Sequence, residues 1–393
     1  MDKHRFKYEW TLKDAKFTKD KGKVFSCFAC GGGSTMGYKL AGFDVVGCNE
    51  IDTKMMEAYK ENHNPKLSYL ESIETFKNRK DLPKELYELD ILDGSPPCSS
   101  FSMAGNREKD WGKEKKFREG QTEQVLDTLF FDFIDLAKEL QPKVVVAENV
   151  KGLLMGNAKA YVREIYKQFD EANYYCQHFL LNASKMGVPQ RRERVFFICL
   201  RKDLATPFLY QKDMFTQLPK IELDFDEKPI LFKEIIDQEG RCLSDNMRKV
   251  WEHRAVGDSA MQQGSERLNG KSMYFSQSYL YQDKIPGTLT SHEDSQVLFD
   301  APRYTSKNEA CKIGSYPLDY NFLGKKPHYL IGMSVPPIMT AQIAREIYNQ
   351  WLNKIEYYCK DCNEEFHRPI ETDNVEIDRC PCCGSDKIKE YEK

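Results

Sequence analysis

In the stretch DILDGSPPCSSFS, Pro96-Pro97 stands immediately before Cys98. Two residues of fixed φ hold the thiol on a rigid turn, just past what reads as the end of a buried strand. A free thiol is a few per cent thiolate near neutral pH, and more beside a cation, so Cys98 could act as a nucleophile. The plainer reading is an inert buried cysteine, the commonest kind. The loop that follows, 99–124, is polar and contains glycine, which suits a lid. Glu148 ends the apolar run VVVAE, where burial would favour its acid form and make it a proton donor. A solvated strand-end acid is the alternative. In QRRERVFF, Arg192 and Arg194 flank Glu193 at the start of a strand, so both would face one side. Together with Arg191 they could equally be a solvated charge run.

Gly31-Gly32-Gly33 lies between a strand pattern and a helix pattern. Such a turn lets the backbone approach a ligand, and the following helix offers free N–H groups to an anion. Glu50 follows some twenty residues later in CNEID, where an acid commonly takes ribose hydroxyls. The two features imply a nucleoside-bearing cofactor. Near the end of the chain, Cys359-x-x-Cys362 and Cys380-x-x-Cys383 enclose 17 residues, a spacing that predicts a bound zinc ion. Cys382 and His367 compete as ligands. The two-residue spacing of Cys380 and Cys383, with Gly384 to close the turn, favours Cys383 over Cys382.

These groups need a scaffold that brings strand ends together. Short runs rich in β-branched and aromatic residues occur at 24–28, 45–49, 90–92, 144–147, 179–182 and 195–200. They are continuous rather than alternating, as in a parallel sheet buried on both faces. Helical patterns lie between them, the clearest over 121–140. The expected fold is α/β, a doubly wound and mostly parallel sheet, with ligands beyond the carboxyl ends of its strands. Residues 201–300 are loop-rich, a helix is expected at 340–351, and the cysteine-rich tail ends the chain. The division expected is therefore 1–200, 201–300, 301–354 and 355–393.

The 393 residues suffice for two or three domains. No run of 18 apolar residues predicts a membrane span, and the charged start MDKHRFKYEW lacks the apolar core of a signal peptide. Thirteen cysteines without such a signal point to a reducing, cytoplasmic setting. The formal charge of −3 does not advertise nucleic-acid binding, but a local basic groove can bind phosphates on an acidic protein.

The blocks FACGGG, NEID, SPPCSSFS, AENV and QRRER occur in that order, followed by APRYTSKNEACKIGSYPLDYNF and YLIGMSVPP. Together they resemble the cytosine-C5 DNA methyltransferases over roughly residues 24–200 and 301–350. The resemblance implies S-adenosylmethionine as methyl donor and double-stranded DNA as partner. It implies that Cys98 attacks C6 of a flipped-out cytosine, that Glu148 engages N3 and the exocyclic amine, that Arg194 binds O2, and that Arg192 supports them. The cofactor would lie along Phe28, Gly31, Gly32, Gly33, Glu50, Ile51, Ser72, Ile73, Pro97, Leu129, Met333 and Val335. Residues 201–300 would recognise the target sequence, closed by GTLT at 287–290. Where the family commonly carries Gly, Asp, Asp and Asn, this chain has Cys30, Ser26, Ser72 and Met333. A monomer is expected, and a companion restriction endonuclease is a partner the resemblance leaves open. So are the family's RNA-directed branch and a silent relative that only binds DNA.

Overall fold

The computed structural model describes residues 4–97, 128–156, 158–213, 216–237, 240–271, 275, 277–292 and 294–353, and in the tail 356–362, 365–366, 370–372, 375–380 and 382–391. Cys98 and the expected lid 99–124 lie outside these residues, as do His367 and the start of the helix expected at 121–140.

Seven strands form one sheet: β1 (Lys23–Cys27), β2 (Asp44–Glu50), β3 (Leu67–Leu70), β4 (Ile91–Gly94), β5 (Val144–Val150), β6 (Tyr174–Asn182) and β7 (Glu193–Arg201). Their spatial order is β3-β2-β1-β4-β5-β7-β6. The pairs β1–β2, β2–β3, β1–β4 and β4–β5 are parallel, whereas β7 runs antiparallel to both its neighbours. Helices α1 (Gly33–Leu40), α2 (Thr53–His63), α3 (Ile73–Phe76), α4 (Leu129–Leu140) and α5 (Ala158–Glu171) connect the strands. All six expected strands are present. The edge strand β3 was not foreseen: it has four half-exposed or exposed residues, LSYL, too short and too wet to leave a hydrophobic pattern.

The continuous apolar runs exist because both faces of the sheet are covered. Leu129, Phe130, Phe133, Ile134, Leu136, Ala137 and Leu140 of α4 are buried with Leu92, Val145 and Phe197 in one cluster. The chain leaves the sheet after β7 and returns at residues 301–345. There Tyr316, Tyr320, Leu330 and Ile331 bury against Met36, Met55 and Ala58 of α1 and α2, with Trp10 of the N-terminal segment packed alongside. The intervening region holds short elements around its own small cluster of Leu243, Val250, Met261, Tyr279, Val297 and Tyr304. Residues 1–345 form one compact unit, and residues 346–393 form a second. No helix among the described residues is long and apolar enough to cross a membrane.

The strand order reverses between β1 and β4. This opens a crevice at their carboxyl ends, flanked by Phe28–Gly33 on one side and Ser95–Pro97 on the other.

Candidate active site

The turn after β1 alternates between ordinary and left-handed backbone: Phe28 (φ 53°), Cys30 (φ 48°) and Gly32 (φ 83°) all have positive φ. A Cβ at Gly32 would stand 2.1 Å from Nε2 of His63, so only glycine fits. A Cβ at Gly33 would stand 2.2 Å from the carbonyl oxygen of Val335, which is how closely the return segment meets the start of α1. Cys30, by contrast, bears the left-handed strain of a non-glycine residue. Its backbone N–H donates to Glu50 Oε2 at 2.8 Å, and its thiol lies 4.0 Å from the carbonyl of Met333. Gly31 O accepts from Tyr320 OH at 2.7 Å. His63 lies below the turn, and burial followed by the nearby Lys39 pulls its imidazole down to about 3. It is therefore a neutral packing residue.

Glu50 is 6% exposed. Besides the N–H of Cys30, it accepts from Ile51 N (2.9 Å) and Asp52 N (2.8 Å). An ionised carboxylate has about four acceptor positions, so it can hold this turn and still meet a ribose. Ser72 is the N-cap of α3 and accepts from Thr75 N at 3.2 Å. Ile73 and Leu129 are buried, and the partly buried Phe28 packs against their cluster.

On the other side of the crevice, Asn149 Nδ2 donates to Pro96 O at 3.2 Å. This bond ties β5 to the proline turn that carries Cys98, and no sequence pattern announced it. Glu148 pairs across the sheet with Phe196, and Val150 with Arg194. Glu148 and Arg194 are thus diagonal neighbours on one face. Arg194 Nε stands 2.9 Å from Glu148 Oε1, the two side chains being 17% and 12% exposed. Beside them opens a cleft of about 680 Å³ lined by Val150, Lys151, Gly152, Asn182, Arg191, Glu193, Arg194, Gly287 and Thr288.

Arg192 points elsewhere. It is 3% exposed and donates to Leu289 O (3.3 Å) and Gly332 O (3.2 Å), so it braces the GTLT segment and the return segment from beneath. Burial, followed by the charge of Arg194, brings its guanidinium down to about 9. Gln190 assists the brace: its side chain donates to Ile313 O and accepts from Leu289 N. Met333 and Val335 come from the return segment and reach the glycine turn across some three hundred residues.

In the second unit, the strands Glu356–Cys359, Glu365–Phe366 and Ile388–Tyr391 form a three-stranded antiparallel sheet. The Sγ atoms of Cys359, Cys362, Cys380 and Cys383 all lie within 4.8 Å of one another. Cys359 and Cys383 are 3.6 Å apart, and Cys362 and Cys380 are 3.5 Å apart. Four thiolates held tetrahedrally at about 2.3 Å stand about 3.8 Å from each other, so the cluster has the dimensions of a metal centre. Gly384 N donates to Cys380 O and Cys380 N to Ser385 O, closing the turn. Cys382 is exposed and outside the cluster.

The fold is shared with solved methyltransferase structures. A prophage-encoded DNA modification methyltransferase from E. coli superimposes with a TM-score of 0.56 at 20% identity, covering 84% of this chain and 99% of that one. The pattern of C-5 cytosine-specific DNA methylases matches residues 22–349, and the chain belongs to that family. The type II methyltransferase M.FnuDI of Fusobacterium nucleatum is 38% identical over 182 residues, 46% of this chain and 48% of that one. M.DdeI of Desulfomicrobium norvegicum is 26% identical over 88% of this chain and 93% of its own. The chain thus spans about half of the first relative and nearly all of the second.

Proposed function

We propose that the protein transfers a methyl group from S-adenosylmethionine to C5 of a cytosine within a specific sequence of double-stranded DNA, as a cytoplasmic monomer. The observation that carries this reading is the Glu148–Arg194 pair, held 2.9 Å apart at the strand ends beside the proline turn. A carboxyl and a guanidinium side by side match the N3 and O2 edge of cytosine.

The donor suits the residues on the opposite wall. Glu50 is preset by three backbone N–H groups for a ribose, and the glycine turn leaves no Cβ in a ligand's way. Phe28, Gly31, Gly32, Gly33, Ile51, Ser72, Ile73, Pro97, Leu129, Met333 and Val335 would complete its surroundings, and the bound donor supplies an electrophilic methyl group. Cytosine C5 is a poor nucleophile, so the Cys98 thiolate forms a bond to C6 while Glu148 gives N3 a proton. Arg194 holds O2 and fixes the ring. C5, now electron-rich, would take the methyl group and leave the demethylated donor behind. Solvent then takes the C5 proton, its electron pair re-forms the C5–C6 double bond as the C6–S bond breaks to release the thiolate, and N3 returns its proton to Glu148. A stacked base is out of reach, so the cytosine must leave the helix, at a cost of a few kcal/mol. Cys98 follows directly on the Pro96-Pro97 segment that Asn149 ties to β5, and an error of about 1 Å in placing a reacting group costs about a hundredfold.

Residues 201–300 read the target, and residues 301–354 complete the catalytic domain. The tail, 355–393, is a ribbon around one zinc ion on Cys359, Cys362, Cys380 and Cys383. The protein works as a modification enzyme, with or without a companion endonuclease. Bisulfite sequencing of DNA from cells expressing the chain tests the activity. Methylcytosine confined to one short sequence is expected, and unmodified DNA together with labelled tRNA would redirect the reading to RNA.

A further inference from the structure

One turn in residues 201–300 carries an apolar side chain that the fold does not bury. Helices α6 (Asp245–Glu252) and α7 (Met261–Asn269) are joined by a loop whose tip is Ala255-Val256-Gly257-Asp258. Val256 is 90% exposed, whereas the other exposed large apolar side chains among the described residues lie between 38% and 47%. Gly257 is the expected residue at its place: its φ of 98° is the left-handed backbone that the third position of a type II turn requires. Val256 before it is not expected, since turn tips favour Pro, Asn, Asp, Ser or Gly.

The turn is held on every side. Asp258 N donates to Ala255 O at 3.1 Å, and Ala255 N donates to Asp258 Oδ2 at 2.8 Å. Arg267 of α7 grips the same carboxylate with both arms of its fork, at 2.7 and 2.6 Å. Tyr281 OH donates to Asp258 O at 2.7 Å and accepts from Gly257 N at 3.2 Å. A β-branched valine is also stiff at χ1, so its two methyl groups are presented in a preset direction. A group held ready in this way loses little freedom on binding. Its surroundings suit a polyanion. Lys284 Nζ lies 4.1 Å over the ring of the same Tyr281, Lys249 stands in the last turn of α6, and the acid of the turn, Asp258, is already paired with Arg267. From Tyr281 the chain runs six residues to Gly287, which with Thr288 lines the cleft beside Arg194. That span is at most about 20 Å, the rise of about six base pairs.

We propose that Val256 is a specificity-determining residue, which reads a thymine in the target site by contact with its C5 methyl group in the major groove. A valine side chain has neither donor nor acceptor, so hydrogen-bonding patterns are invisible to it. Of the groups that base edges present in the grooves, the thymine methyl alone is apolar, and it is the one feature such a side chain can tell from the rest. Lys249 and Lys284 then meet backbone phosphates, which fix the register without reading sequence. The short span to Gly287 places the thymine within a few base pairs of the methylated cytosine. Sequence reading passed over Val256 because the residues that hold its turn come from 258, 267 and 281, and without them it is one valine in a loop-rich region.

The inference rests on the proposed methylation of cytosine in DNA, with residues 201–300 as the reader. It is tested with the full-length protein, labelled S-adenosylmethionine and two copies of one DNA fragment that carries the site found by bisulfite sequencing. One copy is amplified with thymidine triphosphate and the other with deoxyuridine triphosphate, so the two differ only in the C5 methyl group. At limiting DNA, loss of one methyl contact should slow the wild type about fourfold on the uracil copy. Val256→Ala removes two methyl groups and should be about tenfold slower than wild type on the thymine copy, with rates on the two copies equal to within about 1.5-fold. Its melting temperature should match that of the wild type, because the side chain is exposed. Equal rates of the wild type on both copies, a uracil penalty as large in Val256→Ala as in wild type, or a target site without an A·T pair would overturn the inference. A wild-type protein that methylates neither copy overturns the functional reading itself.

Discussion

The crevice between β1 and β4 and the cysteine cluster of the tail are both small groups of polar side chains held close together, but they are assembled in opposite ways. The crevice draws on residues 28–33, 50, 93, 96, 148–149, 192–194 and 333–335. Each stands at the end of a strand or on a segment pinned by packing, such as Gly33 against the carbonyl of Val335. Its geometry is held by the core and needs no ligand. The cluster gathers four thiols from 25 residues around a few short strand pairs and very little buried apolar surface. Four sulfurs within 4.8 Å of one another have the spacing to take one metal ion. One site is built by the fold, whereas the other has little core of its own and the dimensions of a metal centre.

That contrast can be broken, beginning with the largest effect. Cys98→Ser should lower methyl transfer by about 10³-fold or more while leaving the melting temperature and donor binding unchanged, because a hydroxyl is a far weaker nucleophile near neutral pH. Substantial turnover would end the covalent mechanism. Glu148→Gln should slow single-turnover chemistry by roughly 10² to 10⁴-fold, with DNA affinity little altered. A rate within about threefold of wild type would remove the carboxyl from proton transfer. In the tail the prediction inverts. Chelation, or Cys383→Ser, should release one zinc ion and unfold residues 355–393, yet leave methylation within about twofold. Cys382→Ser should keep the metal, and mass spectrometry of both variants distinguishes the ligand sets. Protein that purifies without metal would refute the ribbon.

Two smaller effects sharpen the picture of a site held by the fold. Burial raises Asp93 of β4 to about 7 in the folded protein from an unfolded value near 3.9, so between those values the folded state binds the extra proton. Its contribution to stability is complete below about pH 4 and is lost as pH rises through 7. Denaturant midpoints of wild type should fall over that window relative to those of Asp93→Asn, and parallel profiles would contradict the assignment. Least of all, Ser72→Ala removes the cap of α3 and should cost about 1 kcal/mol by denaturation, with KM for the donor changed less than twofold. A much larger rise in KM would mean that the Ser72 hydroxyl serves the ligand rather than the helix.

The sheet was legible because burying both of its faces forces continuous apolar runs, and the crevice because the residues for chemistry follow those runs directly. Glu148 and Arg194 could be picked out, but their contact could not: it depends on β7 running antiparallel, which no local pattern records. Arg192 is the instructive case. In sequence it matches Arg194, one residue either side of Glu193, yet it turns inward to carbonyls at 289 and 332 that only the return segment supplies. Asn149 and Asp93 were silent for the same reason, since their partners, Pro96 for the one and Ser26 and Tyr38 for the other, are distant in sequence. The clustering of Cys359, Cys362, Cys380 and Cys383 was legible because its geometry is local.

The return of residues 301–345 onto α1 and α2 also bears on how the protein is made. The turn at Gly31 is closed by Tyr320, 289 residues further on, and Trp10 is closed by Ser315, 305 residues on. At about 5–20 residues per second, a ribosome needs roughly 15–60 s to travel that distance. For all that time the N-terminal half can pair β1 with β2 but has nothing to place over its first helix, and apolar residues such as Met36 and Met55 stay uncovered. A chain stalled before residue 301 should be cut by protease within α1, whereas the finished chain should not. The turn at Gly31 and the cover over α1 and α2 are therefore completed only once residues 301–345 have been made.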